Sequence, residues 1–178
     1  MIIHEIHGND SSVLELIKDE FRTITDVNTM KNYHPDFADL PGNFFKILDE
    51  GRYSVGKGKY YVVEDSGKYI CSAGWNEYGL EPDIALLLTR MYVTPKHRCK
   101  YIIGKTILPK MIQECEKFKK LYITVNDYNI SIYNWFLRNQ RGKRSALFAD
   151  WPKIYKNFKP VGKKNIYYTD QYVVELIK

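Results

Sequence analysis

Three side chains able to hold an anion crowd one short stretch of this chain: His97, Arg98 and Lys100. They follow an apolar run that ends at Val93, and Pro95 punctuates the join. Residues 86–108 read as strand, basic turn and the start of an amphipathic helix. That order aims a helix N-terminus and several backbone N–H groups at one point. Such a terminus carries roughly half a positive charge, and phosphates or other anions settle there. A second segment, residues 121–138, repeats the order of strand, polar turn and helix, with Tyr133 inside the helix.

Other chemistries find less support. Cys71, Cys99 and Cys115 are scattered and odd in number, with no CxxC spacing. That argues against a disulfide framework and fits a reducing, cytoplasmic setting. His4 and His7 lie three apart, which on a strand puts them on opposite faces, so no metal site is expected. No Gly-x-Ser-x-Gly elbow is present. Residues 51–58 nearly spell a phosphate-binding P-loop. The last position is Gly58 rather than Ser or Thr, and a strand follows where a P-loop needs a helix, so a turn before a hairpin is expected.

The 178 residues suffice for one domain with a real core, and the reading is a single domain over 1–178 with an insertion near 139–152. Charge is lopsided. Residues 1–95 hold 9 Lys+Arg against 15 Asp+Glu, a net of −6, and residues 96–178 hold 18 against 6, a net of +12. The basic half suits a polyanion or a phosphate-rich cofactor, and the acidic half a cationic substrate. No run of about 18 apolar residues occurs, so no membrane span is expected, nor is a signal peptide. The high tyrosine count, 15, reads as packing before stacking.

Periodicity supplies the elements that must position these residues. Strands are expected at 2–6, 60–64 and 69–75, the last two joined by a turn over 65–68, and then at 84–93 and 121–125. A capping box at Ser12–Glu15 starts a helix over 12–21 with Val13, Leu16 and Ile17 inward. A short helix before His34 and a helical turn over 44–48 follow. The spacing of Ile103, Ile107, Met111, Cys115 and Phe118 predicts one helix over 102–119, kinked at Pro109. A helix over 130–138, an irregular basic stretch over 141–152, and a strand, a turn at 162–165 and a last strand close the chain. The apolar run 84–88 is that of a strand covered on both faces. The whole is a mixed sheet flanked by helices, class α/β or α+β.

The stretch 90–108, RMYVTPKHRCKYIIGKTIL, resembles the cofactor-binding motif of the GCN5-related N-acetyltransferase (GNAT) superfamily. Tyr92-Val93, Pro95 and Arg98 fall in place. Counted from Arg98, Tyr101 and Ile103 stand where the family has glycines, and one extra residue restores Gly104. The strand ending in Thr124-Val125-Asn126, followed by Asn129-Ile-Ser-Ile-Tyr133, is similar to the family's next motif. Residues 155–162 resemble its closing turn, and Tyr155 is the alternative match to the tyrosine. The match covers roughly residues 60–178.

The resemblance implies a mostly antiparallel mixed sheet whose two central parallel strands, 86–93 and 121–125, splay at a bulge. Acetyl-CoA would lie in the gap as co-substrate, with Met91, Tyr92 and Val93 beside its arm. Its pyrophosphate would lie against the residues from His97 through Arg98, Cys99, Lys100, Tyr101, Ile102 and Ile103 to Gly104, with Asn126 and Asn129 nearby. The implied reaction is direct attack of a primary amine on the thioester. An alkyl amine with a pKa of about 10.4 is neutral in roughly one molecule per two to three thousand at pH 7, so its proton must be removed. The family often places Glu six residues before the Val, where this chain has Leu87. Glu77, Glu81 and Asp83 lie upstream without matching, and no base is assigned. Tyr133 is the implied proton donor to the departing thiolate. The acidic half, with the loop 76–83, would line the acceptor side, so the acceptor is expected to be a cationic small molecule or peptide.

A competing reading is a non-catalytic GNAT-fold protein that binds a protein or nucleic acid through Arg138, Arg141, Lys143 and Arg144. No nucleic-acid motif supports direct RNA or DNA binding. A homodimer is compatible with the sequence.

Overall fold

The computed structural model describes residues 1–7, 12, 13, 15, 16, 57–100, 102–139, 157–166 and 169–177. Seven strands form one sheet. In chain order they are β1 (Ile2–Glu5), β2 (Gly58–Asp65), β3 (Lys68–Glu77), β4 (Ile84–Val93), β5 (Lys120–Val125), β6 (Asn157–Ile166) and β7 (Thr169–Ile177). Helices α1 (Ile102–Lys105) and α2 (Ile107–Glu114) lie between β4 and β5, and α3 (Ile130–Asn139) follows β5. The sheet order is β1-β2-β3-β4-β5-β7-β6. Only β4 and β5 pair in parallel; every other neighbouring pair is antiparallel. This is the mixed sheet that the sequence suggests, and its mostly antiparallel pairing is the one the resemblance implies.

Local chemistry explains the elements. The β2–β3 hairpin closes on Ser66 and Gly67, both at positive φ (53° and 77°), as a two-residue turn matched to strand twist requires. The run Ile84 to Leu88 is buried throughout. Most side chains of the main core come from one face of the sheet and from α1, α2 and α3: Tyr61, Ala73, Leu87, Ile103, Ile107, Met111, Leu121, Ile123 and Tyr133 are among them. A smaller cluster of Tyr78, Ile84, Leu86, Tyr122, Ile166 and Val173 lies apart from it. Residues 12, 13, 15 and 16 are helical, with Val13 and Leu16 buried as expected.

Two expectations are corrected. The single helix over 102–119 is instead a one-turn α1 and an eight-residue α2 that ends at Glu114, although Cys115 and Phe118 stay buried. The break falls at Thr106, not at Pro109. Proline lacks the N–H that a helix interior needs, and its ring crowds the carbonyl four residues back. A break at Thr106 puts Pro109 in the first turn of α2, where no N–H is required. Thr106 seals the break: its N–H and hydroxyl both donate to the Ile102 carbonyl, at 3.0 and 2.7 Å. The turn expected at 162–165 is instead continuous β6, paired with β7 through Ile166–Thr169. Gly162 has φ +88° because it follows a bulge: Pro160 faces Val174 and Gly162 faces Val173, which leaves Val161 as the extra residue.

Several expectations fall outside the described residues. They are the remainder of the helix over 12–21, the short elements at 30–48, residues 51–56, Tyr101, the basic stretch 141–152 and Tyr155.

Candidate functional site

The site begins where β4 and β5 part. Their parallel pairing runs from Ile84↔Lys120 to Leu87↔Ile123 and stops. Beyond it β4 continues for six residues, still paired with β3 through Thr89↔Gly74, Tyr92↔Ser72 and Val93↔Cys71. Strand β5 continues through Thr124 and Val125, paired with β7. Each strand therefore holds its outer neighbour while the inner edges separate, and the splayed centre is present.

The cause lies in β4. Its register against β3 shifts twice, and each shift adds one residue on the β4 side: Leu88 between Leu87 and Thr89, and another between Thr89 and Tyr92. Leu88 and Arg90 carry positive φ, 59° and 54°. Left-handed backbone at a side-chain-bearing residue costs about 1–3 kcal/mol, yet two occur within three residues. A double bulge bends a strand and raises its twist, which turns β4 away from β5. The hydroxyl of buried Tyr60 donates to the Arg90 carbonyl at 3.4 Å.

Backbone direction identifies what faces the gap. The Thr94 N–H donates to the Ile70 carbonyl on β3 at 3.0 Å. In a planar trans peptide the other end, the Val93 carbonyl, points the opposite way, toward the gap. The Val93 N–H shares that side. The Val93 carbonyl is already engaged: Arg98 Nε donates to it at 3.0 Å, and the guanidinium carbon lies 5.9 Å from the Tyr92 ring centre. The Val93 carbonyl is thus bound within the protein, while the Val93 N–H lies on the side of the gap.

Beyond β4 the chain runs as a 3₁₀ turn over Pro95–Lys100. His97 is tied back to Thr94 twice, by its N–H to the Thr94 carbonyl at 2.9 Å and by Nδ1 to the Thr94 hydroxyl at 2.7 Å. Cys99 and Lys100 close this turn. The side chains of Ile102 and Ile103 are buried in the core. Ile103 therefore occupies the position of a family glycine with its side chain turned inward, away from the loop. Gly104 is half-buried, and a Cβ built on it meets nothing within 4 Å. The protein's own packing does not require glycine there, and the open space fits a ligand's close approach. These features fit a nucleotide-bearing acyl donor.

Tyr133 approaches from α3. It is buried, and its hydroxyl oxygen accepts the Gly162 N–H at 2.9 Å. Its ring lies 4.8 Å from that of Tyr172, and Tyr172 pairs with Val125 at the end of β5. Tyr133 thus stands over the end of β5 that lies past the last β4 contact. Asn126 follows β5, and Asn129 ends the 3₁₀ turn that leads into α3, with its N–H on the Asn126 carbonyl at 2.9 Å.

The acidic loop is placed differently from expectation. It precedes β4 at the paired end of the sheet, where the Lys120 N–H donates to the Asp83 carbonyl at 3.1 Å. Asp83 pairs with Lys119, and Glu77 lies 3.9 Å from Lys117. Leu87, where the family often has Glu, is fully buried.

Sequence reasoning missed Glu114. Its carboxylate accepts from the Tyr61 hydroxyl and from Trp75 Nε1 (2.9 Å), and Lys59 and Lys110 lie 3.5 and 3.4 Å away. Burial alone would push this carboxyl up. The two hydrogen bonds and the two ammonium charges outweigh it and hold the carboxyl below its usual range. Burial and the same carboxylate push the Tyr61 phenol up. Lys110 and Glu114 at i,i+4 were the available signal. Among the described residues no cluster of His, Cys, Asp or Glu could hold a metal, and no helix is long and apolar enough to cross a membrane.

No protein-family model matches the chain, and no curated protein matches it in sequence. Solved structures do match in three dimensions. PaiA N-acetyltransferase from Thermoplasma acidophilum, in complex with coenzyme A, superposes with a TM-score of 0.61 at 12% identity and covers 100% of both chains. A chimera of the Vibrio cholerae spermidine N-acetyltransferase SpeG and hSSAT gives 0.59 at 12%, over 98% of this chain and 95% of that one. A GNAT-family acetyltransferase from Staphylococcus aureus gives 0.54 at 19%, over 99% and 100%. With the double bulge and the parted central strands, these likenesses show that the chain has the fold of the GCN5-related N-acetyltransferase superfamily.

Proposed function

We propose that this protein is an N-acyltransferase that moves an acetyl group from acetyl-CoA to a primary amine of a cationic small molecule or peptide. The observation that carries the reading is that the β4–β5 ladder ends at Leu87↔Ile123 while both strands continue, with Tyr133 over the continuing end of β5. An extended donor arm can add to a strand edge as an extra strand. The N–H groups of Met91 and Val93 would hold that arm and orient the acyl carbonyl. Arg98, fixed on the Val93 carbonyl at the mouth of the gap, would meet the phosphates with its remaining guanidinium N–H groups. The open face of Gly104 would let backbone approach them. His97 lies in the same turn as Arg98, and Asn126 and Asn129, between β5 and α3, would complete the cofactor side.

Tyr133 would supply the proton that the departing thiolate needs. Its oxygen accepts from Gly162, so its own O–H is not spent on that bond. Leu87 supplies no carboxylate for the amine proton, and no base is assigned. Acceptor charge is inferred from the net −6 of residues 1–95. The ion-paired Glu77 and Asp83 contribute little to it, because their partners already neutralise them. Incubation with acetyl-CoA and a panel of cationic, neutral and anionic amines, read by free thiol release, tests the reading. Turnover confined to cationic amines is expected; turnover with neutral or anionic amines alone contradicts it.

Buried Leu87 in place of an acid favours a second reading, a GNAT-fold binder without catalysis. A ligand bound only to the native state raises its melting point. No shift at millimolar acetyl-CoA selects the binder.

A further inference from the structure

The bulge in β6 stands apart from the double bulge that opens the gap. A bulge leaves one residue outside the ladder and re-aims its neighbours' backbone groups. Here Val161 is the extra residue, and the Gly162 N–H, released from the ladder, donates to Tyr133. The residues around this contact lock both partners. Tyr133 stacks on Tyr172 at 4.8 Å. Lys163, the neighbour of Gly162, places its ammonium 5.1 Å from the Tyr172 ring centre and 3.0 Å from Asp127 Oδ1. Asp127 begins the turn that leads into α3, the helix carrying Tyr133. The bulge is therefore tied to the tyrosine directly and, through Lys163 and Asp127, to the entry of its helix.

We infer that Gly162 is a positioning residue for the acyl transfer: its amide fixes the Tyr133 oxygen and directs the phenolic proton away from β6. This rests on the reading of Tyr133 as proton donor. A phenol has one proton and two lone pairs. With one lone pair held by a fixed N–H, the rotor loses orientations in which the O–H points at that amide. The site then presents the proton in fewer directions before reaction, which is the kind of preorganisation that speeds a transfer step. Glycine is required by backbone and not by space. At φ +88° a side-chain-bearing residue is strained, although a Cβ there meets nothing within 4 Å.

The test is a double-mutant cycle with acetyl-CoA and the best cationic amine of the panel. Gly162→Ala should lower kcat roughly tenfold to a hundredfold, the scale of a small misplacement, with KM for acetyl-CoA unchanged. In a Tyr133→Phe background the same change should leave kcat within about twofold, since no phenolic proton remains to direct. Gly162→Asn, which tolerates positive φ better than Ala, should restore part of the activity. An equal loss from Gly162→Ala in both backgrounds overturns the inference and leaves the role of Tyr133 intact. Unchanged turnover in Tyr133→Phe alone overturns both. A ¹⁵N-edited NMR spectrum needs no acceptor: the Gly162 amide proton should move upfield in Tyr133→Phe, and an unmoved resonance also overturns the inference.

Discussion

The amide of Gly162 donates to the phenolic oxygen of Tyr133 across 2.9 Å, joining a bulge in an edge strand to a helix 29 residues earlier in the chain. If Tyr133 is the proton donor, Tyr133→Phe lowers kcat by roughly a hundredfold, within the range for general acid catalysis. Loss of the hydrogen bond should cost no more than about 1–3 kcal/mol of stability. Steady-state kinetics and urea unfolding on the same preparations check both numbers. A normal rate from a folded variant removes Tyr133 from the chemistry.

The double bulge of β4 makes its own prediction. Arg90 sits at φ 54° without the freedom of glycine. Arg90→Gly relieves that strain, and a β-branched residue increases it. The glycine variant should be more stable than Arg90→Val by about 1–3 kcal/mol, measured as the difference in urea unfolding free energy. Equal stabilities would mean that residue 90 does not hold left-handed backbone.

Gly104 separates folding from binding. It lies in α1 with open space around its missing side chain. Alanine is the better helix former by about 1 kcal/mol, so Gly104→Ala should keep or raise the melting temperature. If phosphates approach this backbone, the same variant binds acetyl-CoA at least about tenfold more weakly, by the steric argument for glycine at such sites. Calorimetric titration and thermal unfolding together decide it. Unchanged affinity places the phosphates elsewhere.

Glu114 links stability to pH. Its carboxyl is held below the ordinary value of 4.5 by Tyr61, Trp75, Lys59 and Lys110 against the opposing effect of burial. A carboxylate depressed in the folded state contributes stability that is present above the unfolded pKa and fades as pH falls through the folded one. The wild type should therefore lose its advantage over Glu114→Gln as pH drops below about 4.5. At pH 7, Glu114→Ala should cost about 2–4 kcal/mol, because two buried donors lose their acceptor. Urea midpoints from pH 7 to pH 3 provide the check. A constant gap between wild type and Glu114→Gln contradicts the assignment.

The legible parts of this fold were those written in local chemistry. Ser66-Gly67 between two apolar runs gives its hairpin at once, and 84–93 is a strand with the bounds read from its apolar run. The parted strands were expected only through the resemblance. Nothing in the sequence marks Leu88 and Arg90 as left-handed, since neither is glycine. Pro109 misled because helical spacing continues across it while the backbone breaks three residues earlier, at Thr106. Gly162 misled in the opposite sense: a glycine among lysines reads as a turn, whereas bulges in continuous strands need the same positive φ. The contacts of Tyr133 with Gly162, and of Glu114 with Tyr61 and Trp75, join residues 29 to 53 positions apart. Local pattern carries no information about such pairs.

Hydrogen exchange of residues 88–93, with and without acetyl-CoA, reaches the central claim most directly. Among the described residues, β4 pairs with β5 only as far as Leu87. A donor arm added to the strand beyond that point should slow exchange at Met91 and Val93 selectively, while Tyr92, whose N–H faces β3, changes little. Unaltered exchange at Met91 and Val93 under saturating acetyl-CoA would contradict a cofactor seated between β4 and β5.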